Sequence, residues 1–515
     1  MLAPSFVRAA IAFLCGLIVS FAAPPDARPL LLLALPVAFG LIAISSGPRD
    51  AFGVGAAFAV GFFGLHVLWL PVAFSALLTP FFWVTFPLLL AALAAFWGGT
   101  AALARWVGGP GRGTLAVLAP LWVGVEMLRS VGFIGFPWGT LGYAWVGTPV
   151  AQWADLVGVH GLSLLTTASA AALAAPFVPA VRGARGGVRS TRPPLLAPLL
   201  AVAVLIAAWT GGAARFASLS AALPEPDRTA LLVQGNVDPL GRAITPRQEL
   251  DVHLDLTAEG ALRAPAPPDL VVWPEGAVLG FPLEGFRGEP ARSAIQASAP
   301  GTAFVVGGRG SADGGSTNAV FALEQAQIRG RYDKHVLVPF GERWPLLNVA
   351  RPLYRAVFGL LGLPMLQNTV PGPGPAPLSL NGNAVGAYVC YESVFSRVPR
   401  GMVADGAELL INVTNDAWFG TGAGAVQHFA MGNLRAIETR RWLLRAGNDG
   451  ITAAVDPTGT VTQRLPQGVA DTLSVRYAHA TGLTPYVRYG GFAPGFVAAL
   501  VLICAGVTAV GRGRS

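Results

Sequence analysis

Apolar runs long enough to cross a hydrocarbon core of about 30 Å recur along the first part of the chain. They fall near 5–23, 29–46, 52–76, 80–104, 114–129, 159–178 and 194–211, and an eighth lies near 490–510. Between the last two the texture changes. Short β-branched runs bounded by Gly, Pro, Asn and Asp appear at Ala230–Gln234, Leu270–Trp273, Ala303–Gly307, Ala319–Leu323, Ala384–Cys390 and Glu408–Val413. The stretch Gln427–Arg440 follows a helical period, with Phe429, Leu434 and Ile437 near one face, and Trp442–Ala446, Ile451–Asp456 and Thr472–Arg476 read as further strands. Strands interleaved with helical stretches predict an α/β layered domain. The pattern therefore predicts a polytopic α-helical membrane domain of seven helices over 1–214 and an α/β domain over 215–485. A C-terminal transmembrane helix and tail follow over 486–515, for about eight spans in all. The first run, with Arg8 before it and Ala22-Ala23 after it, imitates a secretory signal. A second spanning run follows at once, so it reads as an uncleaved first helix, and 147–158 reads as interfacial.

Composition sharpens this picture. The chain is 53% hydrophobic and 12% charged, against roughly 45–50% and about 25% in soluble domains. Its net charge of +8 sits largely in short loops between apolar runs, which disfavours a nucleic-acid partner and suits a membrane orientation signal. With the N-terminus cytoplasmic, the inside loops hold Arg49, then Arg105 and Arg112, then Arg182, Arg185, Arg189 and Arg192, with Arg512 and Arg514 in the tail. The outside connections hold only Arg28 and, at a helix end, Arg129. Seven crossings then place 215–485 outside the cytoplasm. A transporter would carry ionisable residues repeated across its spans, and few are present.

The candidate chemistry lies in the polar domain. Of the three cysteines, Cys15 and Cys504 fall in apolar runs and only Cys390 has polar neighbours. No Cys-x-x-Cys or Cys/His spacing occurs, so neither a metal nor a disulfide framework is expected. A lone cysteine is ordinarily a small buried hydrophobe, and its surroundings must decide. Three segments bear on it: Val271-Val-Trp-Pro-Glu275, Tyr332-Asp-Lys334-His-Val-Leu-Val-Pro-Phe-Gly-Glu342 and Val389-Cys390-Tyr391-Glu392. In two of them a strand-like run ends on a reactive side chain, where residues distant in sequence converge at a sheet rim. A glutamate there can take the thiol proton, since the thiolate is the nucleophile. A lysine can stabilise the developing oxyanion together with a backbone N–H. Lys334 is the single lysine of the chain, the other 34 basic residues being arginine.

Glu275, Lys334 and Cys390 in this order resemble the nitrilase (carbon–nitrogen hydrolase) superfamily. Further stretches resemble its apolipoprotein N-acyltransferase family: Val233-Gln-Gly-Asn236, Pro339-Phe-Gly-Glu342, Asn415-Asp-Ala-Trp-Phe-Gly420, Gln427-His428, Arg435-Ala-Ile-Glu438, Leu444-Arg-Ala-Gly-Asn448, and in the membrane half Phe136-Pro-Trp138 with Leu141-Gly-Tyr143. The resemblance implies a nitrilase-like αββα sandwich with Glu275 as general base, Lys334 as oxyanion lysine and Cys390 as nucleophile. It makes Glu342 and Glu392 orienting carboxylates and Tyr391 the donor of the adjacent N–H. The implied activity is N-acylation of the N-terminal diacylglyceryl-cysteine of lipoproteins by ping-pong transfer. A membrane phospholipid is the donor, the intermediate is a thioester, and no cofactor takes part. It implies a monomer in a bacterial inner membrane with its catalytic domain outside the cytoplasm. The rival reading is a membrane-anchored amidase acting on small amides. One departure is that the family's aromatic after Gln-Gly-Asn is replaced here by Leu240-Gly-Arg242-Ala243.

Other residues carry plainer expectations. Glu126 and Arg129, three apart on one helix face, read as a structural pair at a helix end. His66 and His160 read as satisfied core polars, and His335 and His428 lie too far from other ligand types to argue for a metal. Trp418 and Phe419 read as packing, with a substrate-contacting lid as the alternative. The apolar stretch Arg343–Gln367, with Trp344 at its start, reads either as an arm resting on lipid or as a buried helix.

Overall fold

The computed structural model describes residues 4–179, 195–238, 244–344, 346–361 and 369–513. Arg182, Arg185, Arg189 and Arg192, the stretch Leu240–Ala243, the end of the apolar arm and Arg514 lie outside the described residues.

In the first half the apolar runs form α1 (Ser5–Ser20), α2 (Leu35–Ala43), α3 (Pro48–His66), α4 (Trp69–Leu77), α5 (Phe82–Gly108), α6 (Arg112–Leu128), α7 (Ala154–Ala174) and α8 (Leu196–Ala221). Among the described residues four helices are long and apolar enough to cross a membrane: Phe82–Gly108, the run Pro149–Phe177, Leu196–Ala221 and Pro485–Val510. A fifth is added if α3 and α4, bent by 45° at their junction, count as one span. The expected count of eight is thus not reached by this measure, for local reasons. The run near 29–46 opens as a 3-10 turn over Pro29–Ala34. α1 and α6 have only 16 and 17 residues, short of the roughly 20 that a straight crossing takes. The stretch expected at the interface begins as a 3-10 turn, Pro149–Trp153, and continues into α7.

α1 and α3 cross backbone to backbone. A side chain on Gly61 would meet the Phe13 carbonyl oxygen at 2.2 Å, and one on Gly16 would meet that of Phe58 at 2.1 Å. Small residues give membrane helices this approach. α8 instead turns large apolar side chains outward, with Leu199 65% and Leu196 70% exposed, a surface suited to lipid.

The α/β domain starts at β1 (Arg228–Gln234), then α9 (Pro246–Arg263), β2 (Leu270–Val272), α10 (Glu289–Ser298), β3 (Ala303–Ala312), β4 (Gly315–Glu324), β5 (Gln327–Asp333) and α11 (Leu347–Leu361). β6 (Leu378–Leu380), β7 (Asn383–Val389), α12 (Arg397–Ala404), β8 (Leu409–Thr414), α13 (Ala423–Thr439), β9 (Leu443–Gly447), β10 (Ala453–Val455), β11 (Val461–Arg464) and β12 (Asp471–Tyr477) follow. The short α14 (Pro485–Tyr489) then leads to α15 (Ala493–Gly513), which is outward-facing like α8, with Leu502 72% exposed.

The strands form two six-stranded sheets, ordered β12-β1-β2-β3-β4-β5 and β11-β10-β9-β8-β7-β6. Strand periodicity explains the layering. Ala230 and Leu232, Leu270 and Val272, Ala303 and Val305, and Val320 and Ala322 join the core shared with the second sheet. Their alternates Leu231 and Val233, Val271, Phe304 and Val306, and Phe321 and Leu323 pack with Leu250 of α9 and Ile295 of α10 on the outside. β7, β8 and β9 run parallel and β8 is buried along its whole length, as sheets covered on both faces require.

Candidate active site

The reactive side chains stand at strand ends on the facing rims of the two sheets. β2 runs through Trp273 and Pro274 to Glu275, and β5 ends at Asp333, directly before Lys334. The Lys334 N–H donates to the Asn318 carbonyl at 2.8 Å. Its ammonium lies 2.9 Å from Glu342 and 3.4 Å from Glu275, and the residue is 1% exposed. The Asn318 amide on β4 donates to both carboxylates, 2.7 Å to each. The second Glu275 oxygen accepts from the Asn415 N–H, 2.9 Å away at the end of β8. Asn415 is placed in turn by Asn448 after β9, whose amide reaches the Asn415 side-chain oxygen at 3.3 Å. Asn448 also binds Val237 through both its amide groups, which ties in the Gln-Gly-Asn loop.

Cys390 follows β7 and opens a 3-10 turn, Cys390–Val394. Its φ is +49°, a left-handed conformation that L-residues adopt only when their surroundings enforce it. Glu392 is one of those surroundings. Fully buried, it accepts from the Val389 N–H at 2.9 Å, the His335 N–H at 2.8 Å, the Val336 N–H at 3.0 Å and the Tyr332 hydroxyl at 2.7 Å. It thereby joins the cysteine elbow to the lysine loop. The Tyr391 hydroxyl donates to the Gly135 carbonyl of the membrane half at 2.6 Å, and its ring stacks on Trp138 with centroids 5.7 Å apart.

Charge sorts the roles. Burial pushes the Cys390 thiol up, Glu275 adds to the rise, and Lys334 opposes it. The resting thiol is therefore neutral and needs a base. Burial disfavours the Lys334 charge, but Glu275 and Glu342 more than offset it and hold the ammonium above the ordinary lysine range. Glu392 is raised by burial against its four donors. Glu275 is the charge acting most strongly on the thiol, and a firmly cationic donor sits beside it. Such a set can deprotonate a nucleophile and neutralise the oxyanion formed when it attacks an acyl carbonyl.

The structure joins Glu275, Lys334, Glu342 and Glu392 in this hydrogen-bonded frame around Cys390. Phe419 is a wedge in the interface, 5.1 Å from Trp69 and 5.0 Å from His428 by ring centroids, while Trp418 beside it is half-buried. Trp344 sits apart at the root of α11, packed by Phe340, Tyr354 and Phe358. Leu346, Val349, Leu353 and Leu360 of that segment are exposed, so its described part is not a buried helix. Glu126 and Arg129 do not pair as expected. Glu126 accepts from Trp122 Nε1 and the Leu141 N–H, whereas Arg129 donates to the Trp138 carbonyl and lies over Trp97. Together they hold the C-terminal end of the loop that carries Gly135 and Trp138 against α6. His66 stacks on Phe62, but His160 has a buried Nε2 with no partner and is not the satisfied core polar expected. Among the described residues no group of three or more His, Cys, Asp or Glu could hold a metal ion. Sequence reasoning missed Asn318, Asn415 and Asn448. It also assigned no role to a buried network of His428, Asp416 and Arg445 behind the elbow, whose members lie in the quoted Gln427-His, Asn415-Asp and Leu444-Arg stretches.

Comparison with known proteins finds relatives of both halves of the chain. Residues 15–172 match the family model of the apolipoprotein N-acyltransferase N-terminal domain, and residues 230–482 match that of carbon-nitrogen hydrolases. An apolipoprotein N-acyltransferase of Azotobacter vinelandii is 34% identical, with 93% of this chain and 91% of that one covered. One from Bordetella bronchiseptica is 32% identical, with 96% and 94% covered. Among solved structures, an amidase from Nesterenkonia sp. overlaps 52% of this chain and 94% of its own at 19% identity and a TM-score of 0.35.

Proposed function

The chain belongs to the apolipoprotein N-acyltransferase family and N-acylates lipoproteins at a membrane; we propose that it does so by ping-pong transfer through a thioester on Cys390. Glu275 takes the thiol proton, and the sulfur attacks an ester carbonyl of a membrane phospholipid. The C–S bond forms, the ester C–O bond breaks, and the lysophospholipid leaves with the proton from Glu275. The α-amine of a diacylglyceryl-cysteine then attacks the thioester. The C–N bond forms, the C–S bond breaks, and Glu275 passes the amine proton back to sulfur. Lys334 and the Tyr391 N–H hold the oxyanion in both halves, Glu342 orients the lysine, and Glu392 orients the elbow. Trp344 at the root of the exposed arm and the half-buried Trp418 are the candidates for substrate contact, while Phe419 packs the interface beside them.

The observation that carries this reading is one frame, in which Asn318 joins Glu275 to Glu342 across Lys334, set beside a cysteine held at φ +49°. Both substrates are acyl-anchored, and leaving the bilayer would cost about 0.8 kcal/mol per buried CH₂. A chain of eight spans keeps the site with them, divided as 1–214, 215–485 and 486–515. Its catalytic domain faces away from the cytoplasm at a bacterial inner membrane, and the enzyme works as a monomer. An amidase would leave the membrane half, which matches a family model of its own, without a role.

Intact-mass and peptide analysis of protein purified from phospholipid membranes is expected to find a fatty acyl adduct on Cys390. Cys390→Ser should lack both adduct and transfer while remaining folded, and Cys15→Ala and Cys504→Ala should keep both. Transfer at the native rate by Cys390→Ser would remove the mechanism.

A further inference from the structure

Against the backbone of Cys390 lies a buried histidine that the mechanism above leaves unused. His428 Nε2 stands 3.1 Å from the Cys390 carbonyl oxygen and 2.8 Å from Ser393 Oγ. The Cys390 carbonyl oxygen only accepts, so the contact is a hydrogen bond in the tautomer that carries the proton on Nε2. The other edge of the ring is gripped, with Nδ1 2.8 Å from Asp416 Oδ1 and 3.1 Å from Arg445. Asp416 is itself fixed by Arg445 at 2.7 Å and by the Thr414 hydroxyl at 2.9 Å. The imidazole packs against both Trp138 and Phe419, and His428, Asp416 and Arg445 are all buried. The ring therefore has one position, with its Nε2 edge turned to the Cys390 carbonyl.

That direction matters because the Cys390 carbonyl and the Tyr391 N–H belong to one planar trans peptide and point oppositely. Anchoring the oxygen aims the N–H. Tyr391 is the second residue of a 3-10 turn, where the N–H has no acceptor within the helix and is free for a ligand. One peptide before the one that enters Cys390, the Val389 N–H is anchored on Glu392. The left-handed cysteine is thus held from both flanks.

We propose that His428, braced by Asp416 and Arg445, is a positioning residue for acyl transfer, whose bond to the Cys390 carbonyl aims the Tyr391 N–H at the oxyanion. This inference rests on Cys390 being the acylated nucleophile. Its role is separable from thiol activation. Alkylation of Cys390 by iodoacetamide is a displacement at a saturated carbon and builds no oxyanion, whereas attack on an ester does.

The test compares the full-length native protein with His428→Phe and His428→Gln in detergent micelles. Two rates are measured on each: alkylation by iodoacetamide across pH, and thioester formation from dipalmitoyl phosphatidylethanolamine. His428→Phe keeps the ring stack and loses the donor. It is expected to alkylate with the native pH profile and to form thioester about a hundredfold more slowly, as for loss of one oxyanion donor. His428→Gln, which restores an N–H, is expected to recover most of that rate. Native thioester formation by His428→Phe would overturn the proposal, and so would an equal fall in its alkylation, which would place the residue on the thiol or the fold. Absence of any adduct on Cys390 in the native protein would instead overturn the proposed function itself.

Discussion

At the scale of single residues, Lys334 separates charge from shape. Its ammonium fits among Glu275, Glu342 and Asn318 with 1% of the residue exposed. A planar guanidinium would present its N–H groups elsewhere and crowd the acyl carbonyl. Lys334→Arg is therefore expected to lose about 10²–10³ in thioester formation, nearly as much as Lys334→Ala. Near-native thioester formation by the arginine variant would show that a positive field suffices. Asp416 gives a pH test. Burial works against its charge, but Arg445 and His428 hold it well below the usual carboxylate range. A depressed carboxyl stabilises fully above its unfolded value of about 3.9 and loses that contribution as pH falls toward its folded value. Asp416→Asn should then cost about 3–5 kcal/mol near neutrality, as for one partner removed from a buried pair. The deficit should narrow below about pH 4. Thermal midpoints at pH 7 and pH 3.5 check it, and an equal deficit at both would assign the effect to other groups. Lys334 and Cys390 were legible because each is rare in its setting. Asn318 was not, since a neutral amide inside a strand leaves no mark in the pattern, and the members of the His428 network sit on separate elements.

At the scale of elements, legibility followed burial. The strands buried on both faces, β1 to β3 and β7 to β9, show as apolar runs and were found within a few residues. β5 and β11 were missed because they are edge or near-edge strands with alternating or exposed positions, and β6 because three residues make no period. α9 is set at its start by Thr245 and Gln248 in a reciprocal cap rather than by an apolar stripe. In the membrane half, hydropathy found the runs but not the break between α3 and α4, nor which helices touch. The contact between α1 and α3 makes a prediction. A methyl on Gly61 would fall 2.2 Å from the Phe13 oxygen, so Gly61→Ala should force the helices apart and cost about 1–3 kcal/mol. Gly53 lies on the same helix with nothing within 4 Å of such a methyl, and Gly53→Ala should be neutral or slightly stabilising. Thermal midpoints in detergent read both, and equal loss at the two sites would count against a close crossing.

At the scale of the whole molecule, arginine placement makes the orientation testable. α8 ends at Ala221 just before β1, and α15 begins just after α14, so the α/β domain lies in sequence between two helices that turn large apolar side chains outward. Reporter fusions at residue 187 are expected to read cytoplasmic and fusions near residue 260 extracytoplasmic. The reverse would put the thiol in the wrong compartment for its substrates. The two halves are also joined beside the candidate site, since Tyr391, directly after Cys390, hydrogen-bonds to the Gly135 carbonyl and stacks on Trp138. This has a consequence for inheritance. A hydrolase domain brought in from a distant homologue arrives without that loop, and its tyrosine side chain after the cysteine is left without both contacts. Changes in the loop between α6 and α7 and changes in the elbow are therefore bound to be selected as a pair, and hybrid genes that cut between them should accumulate compensating substitutions there first.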